Sequence, residues 1–193
     1  MPTFAFKGRN RLNELVSGDR EAATQDELRA LLRREQIVMT QAQYVKAVSA
    51  DSFKTQGRGG RGVSGGKMKM DDIVHHVIFT TAHAHLLFFS NRGKVYRLRA
   101  LDIPERERTA KGMPIVNLLP LQADEQIQAI IDTRDFAGER FLFFATKGGT
   151  VKKTALDEFS NPRKAGIIAV DLDPGDQLVG AALTDGKHDV MLF

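Results

Sequence analysis

The stretch Leu86-Leu87-Phe88-Phe89-Ser90-Asn91-Arg92-Gly93-Lys94-Val95-Tyr96-Arg97 returns later in the chain as Phe141-Leu142-Phe143-Phe144-Ala145-Thr146-Lys147-Gly148-Gly149-Thr150-Val151-Lys152-Lys153. Each copy opens with a short apolar run, too brief for a stable helix and rich in aromatic residues that strands favour. A polar turn containing glycine comes next, and then a run that sets valine among lysine and its polar or cationic neighbours. Two such runs about a short glycine turn read as a β-hairpin, because glycine reaches the left-handed backbone that tight turns require. A more degenerate copy runs from Ile37-Val38-Met39-Thr40 to Tyr44-Val45-Lys46.

The segment after each hairpin repeats as well. A basic residue and a glycine precede an apolar strand at Arg61-Gly62-Val63, Lys111-Gly112-Met113 and Lys164-Ala165-Gly166-Ile167. An acidic turn then leads into another strand at Asp71-Asp72-Ile73-Val74, Asp124-Glu125-Gln126-Ile127 and Pro174-Gly175-Asp176-Gln177-Leu178, so that Val74, Ile127 and Leu178 stand 53 and 51 residues apart. Four short strands per unit at that period predict an all-β, propeller-like array of four-stranded blades. The blades fall at about residues 37–80, 85–132 and 140–184, and Asp189-Val190-Met191-Leu192-Phe193 reads as the start of a fourth at about 188–193. Residues 1–36 are expected to hold a poorly ordered leader, over 1–24, and one short N-terminal helix. That helix, over about residues 25–35, is signalled by the capping box Thr24-Gln25-Asp26-Glu27 and by Leu28, Leu31 and Leu32 at helical spacing.

The 193 residues are 42% apolar and contain no cysteine, which excludes a disulfide scaffold and any thiolate metal site or nucleophile. No stretch approaches the roughly 20 apolar residues that span a bilayer, and the N-terminus lacks a signal-peptide pattern. A cytoplasmic chain with no membrane partner is expected. Charge is unevenly placed. Over Ile37–Ala100, Lys46, Lys54, Arg58, Arg61, Lys67, Lys69, Arg92, Lys94, Arg97 and Arg99 face only Asp51, Asp71 and Asp72, a net +7 in a chain whose total is +4. A basic half beside an acidic remainder suggests a directional attraction for a polyanion.

Within that basic half stands Gln56-Gly57-Arg58-Gly59-Gly60-Arg61-Gly62. It cannot pack as helix or central strand, but it offers backbone N–H groups and guanidinium forks at close range. The run resembles the signature box of the C-terminal domain of bacterial DNA gyrase A, Gln-(Arg/Lys)-Arg-Gly-Gly-(Arg/Lys)-Gly. Six of the seven positions match, and Gly57 stands where the pattern has a basic residue. The resemblance covers about residues 30–193. It implies a β-pinwheel of six blades, of which this chain holds about three, so a partial pinwheel and a fragment are expected. It also implies that duplex DNA follows the outer rim, held by its phosphates and bent with little reading of bases. Gln56, Arg58, Gly59, Gly60, Arg61 and Gly62 of the box would then contact DNA, with Lys67 and Lys69 just beyond. Arg92, Lys94, Arg97 and Arg99 would continue the path on the second blade, and Lys147, Lys152, Lys153, Arg163 and Lys164 on the third. By the same resemblance the partners are duplex DNA, the N-terminal domain of gyrase A, and gyrase B, in an assembly that holds two copies of each protein. ATP and magnesium serve elsewhere in that assembly, this chain has no cofactor of its own, and its setting is the nucleoid.

Other chemistry finds little support. Gly66-Lys67 lacks the glycine five positions earlier and the following Ser/Thr of a phosphate loop, having Arg61 and Met68 there. His83 and His85 would share a strand face but have no evident third metal ligand. Asp71 and Asp72 suit a turn better than an acid/base pair. Tyr44 and Tyr96 lack the arginine-tyrosine context of the gyrase cleavage residue and fit strand positions, so no catalytic residue is expected. Two alternatives remain: a topoisomerase IV C-terminal domain, and a propeller used as a protein-interaction platform.

Overall fold

The computed structural model describes residues 2–9, 15–21, 23–24, 34–49 and 72–191. In chain order its strands begin with β1 (Thr3–Arg9), β2 (Leu15–Glu21), β3 (Arg34–Thr40), β4 (Tyr44–Ser49) and β5 (Val74–Thr81). There follow β6 (His85–Ser90), β7 (Lys94–Arg99), β8 (Met113–Pro114) and β9 (Ile127–Thr133). The last are β10 (Phe141–Thr146), β11 (Val151–Ala155), β12 (Ile167–Ile168) and β13 (Leu178–Thr184). Three larger sheets result, ordered β5-β3-β4-β8, β9-β6-β7-β12 and β13-β10-β11. All strand pairs within them are antiparallel.

Two expectations for the N-terminal part are corrected. The short helix over residues 25–35 is not seen: among the described residues there is no α-helix, residues 34 and 35 already belong to β3, and 25–33 lie outside the described residues. Pairing wins at Arg34 and Glu35, because Arg34 lies opposite Thr81 and Glu35 lies between Ser49 and Thr80 in the first blade. The presumed leader contains structure too. Strands β1 and β2 pair antiparallel from Thr3 opposite Glu21 to Arg9 opposite Leu15.

The hairpin turn has one design used three times. Thr40, Ser90 and Thr146 end the first strand of each blade, each next to a bulge in its pairing with the third strand. Their hydroxyls accept hydrogen bonds from the N–H groups of Tyr44 (3.4 Å), Lys94 (3.4 Å) and Thr150 (3.1 Å). The residue three positions on takes a left-handed backbone: Gln43 at φ 64°, Gly93 at 72° and Gly149 at 89°. Glycine adopts that conformation without strain, and Gln43 adopts it while its side chain clasps the Ile127 peptide of the next blade, accepting from N–H at 2.8 Å and donating to C=O at 3.2 Å. The acidic turns also have a purpose. Asp72 accepts from Ala42 N–H at 3.0 Å and Asp176 from Gly148 N–H at 2.7 Å, tying each third strand to its hairpin turn. Hydrogen bonds from Thr146 and then from the Gly148 and Gln177 amides hold the Asp176 carboxyl below the ordinary aspartate range.

Blade and sequence repeat do not coincide. The basic–glycine strand of each unit leaves its own blade and joins the one before. Strand β8 pairs with β4 through Pro114 opposite Tyr44 and Met113 opposite Val45, and β12 pairs with β7 through Ile168 opposite Lys94 and Ile167 opposite Val95. The glycine is needed for this approach. A Cβ on Gly112 would meet the Val45 carbonyl oxygen at 2.8 Å, and one on Gly166 the Tyr96 ring at 2.8 Å. Both also have positive φ.

Strand alternation sends successive residues to opposite faces, so each blade contributes to two cores. Leu86, Phe88 and Tyr96 of the second blade pack on Ile37, Met39, Val45 and Ala47 of the first. Leu87, Phe89 and Val95, on its other face, pack on Leu142 and Phe144 of the third. The Phe89 ring meets Phe144 and Phe159 edge-on at 5.3 and 6.1 Å. One polar pair is buried in the first of these cores: the Tyr96 hydroxyl reaches both carboxyl oxygens of Glu125 at 3.0 Å, and Gln122 N–H donates to the same carboxylate at 2.9 Å. Burial and then the Glu125 contact push the Tyr96 hydroxyl well above its ordinary pKa. Removing the hydroxyl by Tyr96→Phe leaves a buried carboxylate short of a donor, so urea unfolding should show a loss of about 1–3 kcal/mol. An unchanged midpoint would mean that Glu125 finds another donor.

Candidate nucleic-acid interface

Strand β9 lies against both β5 and β13, so the third strands of the units form the edges on which the blades converge. Strands β8 and β12 occupy the opposite, peripheral edges. The cations follow that division. Strands β5, β9 and β13 contain no lysine or arginine, whereas β7 carries Lys94, Arg97 and Arg99 and β11 carries Lys152 and Lys153. The converging strands have apolar neighbours on both sides and little room to hydrate a charge. The peripheral half lets long side chains reach water.

The sequence-derived candidates separate into two groups. Some have their charged ends tied to the protein. Arg92 is exposed in its turn yet donates to the Gln122 side chain at 2.9 Å and the Ala123 carbonyl at 2.8 Å. Arg97 donates to the Ser160 carbonyl of the third unit. Lys152 donates to the Ala169 carbonyl at 2.9 Å, and Arg99 lies 3.9 Å from Asp102. These side chains join blades and loops. A second group donates no side-chain hydrogen bond to the protein among the described residues: Lys94, Lys147, Lys153, Arg163 and Lys164. Lys153 lies over the Phe141 ring at 4.8 Å. Arg163 and Lys164 are exposed immediately before β12, and Lys147 is exposed in the third hairpin turn.

Lys111 belongs with this second group and was absent from the sequence-based candidates. It leads into β8 as Lys164 leads into β12, and its ammonium sits 3.8 Å over the Tyr44 ring. The repeat of a basic residue before glycine was the signal for it. Lys46, by contrast, is buried, donating to the carbonyls of Arg108 at 2.5 Å and Ala110 at 2.8 Å. Burial and then Arg108 lower its pKa. Burial, then Arg97 and Arg99, likewise hold His85 below the ordinary histidine value, which marks β7 as a positive edge. Gln56, Arg58, Gly59, Gly60, Arg61, Gly62, Lys67 and Lys69 lie outside the described residues. Among the described residues no cluster of three His, Cys, Asp or Glu side chains is placed to hold a metal ion, and no helix is long and apolar enough to cross a membrane.

The family model described as DNA gyrase C-terminal domain, beta-propeller, matches residues 37–81, 84–133 and 140–185, one span per blade. The chain belongs to the DNA gyrase C-terminal domain family. The DNA gyrase A protein of Salmonella typhimurium is 42% identical over 188 residues, covering 96% of this chain and 21% of the relative. That of Streptococcus pyogenes serotype M1 is 48% identical over 166 residues, covering 84% and 20%. This gyrase C-terminal domain chain thus spans about a fifth of the length of the curated relatives it matches. Among solved structures, a C-terminal domain of DNA topoisomerase IV superposes with a TM-score of 0.67 at 28% identity, over 79% of this chain and 46% of that one. A DNA gyrase A C-terminal domain does so at 0.63 and 25% identity, over 78% and 48%. The resemblance drawn from the box and the repeats therefore holds, as does the all-β pinwheel. A second family model, Type II secretion system protein F, N-terminal domain, matches residues 1–43, which include β1 and β2 and overlap the first match at 37–43.

Proposed function

We propose that this gyrase C-terminal domain chain binds and bends duplex DNA along its peripheral strands, as the wrapping module of a gyrase A protein that works with gyrase B in ATP-driven negative supercoiling. The observation that carries the reading is the segregation of cations: none on the converging strands β5, β9 and β13, and an exposed set on β7, β11 and the segments entering β8 and β12. Such a distribution suits phosphates spread along a curved path, where contacts position the duplex without reading bases. Bending 20–30 base pairs costs on the order of 1–6 kcal/mol, which many dispersed contacts can offset. The module needs no cofactor and performs no chemistry in this reading, and it acts in the cytoplasm on nucleoid DNA.

The box supplies the test. Arg58 and Arg61 carry planar forks in a glycine-rich run that permits close approach to phosphate. With this segment placed in full-length gyrase A and assayed with gyrase B, Arg58→Ala/Arg61→Ala should lose negative supercoiling while relaxation and decatenation persist. Plain duplex affinity should fall by about tenfold or less, since two charges leave a larger set. Supercoiling that survives the double substitution would favour the topoisomerase IV reading, which the superposition on that enzyme's C-terminal domain keeps open.

A further inference from the structure

Each of the first two blades receives its outermost strand from the following unit, and the third blade has none among the described residues. The vacant edge is the outer side of β11. Its matching positions are legible from the repeat: Val151 corresponds to Val45 and Val95, which pair with Met113 and Ile167. The carbonyls that anchor the incoming strand also correspond. Gln43 C=O accepts from Ile115 N–H at 2.9 Å, and Gly93 C=O accepts from Ala169 at 2.8 Å and Val170 at 3.1 Å. Their counterpart, Gly149 C=O, accepts no hydrogen bond among the described residues. An edge strand with an unused acceptor and an exposed valine, Val151 at 50%, is a template for one more strand.

The faces match the edge. In the two internal junctions, one face of a blade packs on the opposite face of the next. The third blade sends Leu142 and Phe144 inward, which leaves Phe141, Phe143 and Ala145 on its outward face, beside Val151. On the first blade, Ile78 packs in the core while the alternate residue Val77 is 47% exposed. The outward face of blade three is therefore the kind of surface that blade one would meet if the array continued.

We propose that a second copy of this chain continues it, its first blade packing on the outward face of the third blade and adding an extended, glycine-led segment to the β11 edge. Continuity with the internal junctions argues for this occupant. A segment of the required form, Arg61-Gly62-Val63, stands in the sequence one period before β8, and the rule of joining the preceding blade assigns it to a blade ahead of the first. Head-to-tail contacts close only if their rotations sum to a full turn. This chain covers 46% and 48% of the two solved C-terminal domains, so two copies carry the blades of one such domain and should close as a dimer.

Sedimentation equilibrium of the 193-residue chain, nuclease-treated and in high salt to exclude bridging by DNA, tests this. The expected result is a reversible monomer–dimer equilibrium. Val151→Asp, at a half-exposed position that should leave the monomer folded, is expected to weaken it by roughly tenfold or more, because it buries an unpaired carboxylate at the junction. Val116→Asp, at an exposed residue away from that edge, should leave it unchanged. A peptide with the sequence of residues 163–169, which includes β12, should shift the wild type toward monomer by occupying the same edge, and a scrambled peptide should not. A monomer at every concentration, an equal dimer with Val151→Asp, or species that grow beyond the dimer would each overturn the proposal.

Discussion

Raising the salt from 50 to 200 mM should cost this chain about 500-fold in duplex affinity. The side chains free to meet phosphate among the described candidates are Lys94, Lys147, Lys153, Arg163 and Lys164. Roughly five phosphate contacts give a slope of about −4.5 in log K against log salt, and a fourfold rise in salt then produces the loss stated. Fluorescence anisotropy on two unrelated duplexes of equal length measures it. Both should give the same slope, since phosphate contacts carry no sequence. Arg163→Gln/Lys164→Gln should flatten the slope by about 2, whereas Lys152→Ala should leave it nearly intact and lower stability instead. That contrast follows from Lys152 donating to the Ala169 carbonyl, while Arg163 and Lys164 are exposed. A flat response in the wild type would leave the interaction-platform alternative standing.

The repeats made the blades legible because the strand signal was strong where burial was strong. Phe88, Phe89 and Phe144 are fully buried, and the same aromatic runs identified the hairpins. Two things were hidden. Membership of β8 and β12 in the preceding blade cannot be read from order along the chain, since nearest-neighbour pairing would keep each in its own unit. Only the crowding around Gly112 and Gly166 explains why glycine recurs there. The helix expected before the first blade failed for a related reason: a capping box and three leucines are local signals, while Arg34 and Glu35 lie opposite Thr81 and Ser49, pairings that the local sequence does not show. The site was legible as a charge distribution but not residue by residue. Hydrogen bonds to distant carbonyls engage Arg92, Arg97 and Lys152, and the sequence gives no hint of those partners.

Phe88→Ala should cost about 3–5 kcal/mol of stability, a large share of what a domain this size possesses. The ring is fully buried between the first two blades, among Ile37, Met39, Val45 and Leu86, and the neighbouring strands cannot collapse into its space without breaking their pairing with β7 and β9. Phe89→Ala should cost a similar amount at the other junction, where its ring meets Phe144 and Phe159. The two residues are adjacent in sequence yet face different cores, which permits a sharper reading. In an array whose blades touch only their neighbours, losing one junction uncouples the blades on either side of it. Urea unfolding of Phe88→Ala should therefore separate into two transitions, the earlier one reported by Tyr44 in the first blade. Phe89→Ala should instead release the third blade first, leaving the first two to unfold together. If both variants unfolded in one transition with the same midpoint, the two cores would be acting as one, and the blade-by-blade account of stability would be wrong.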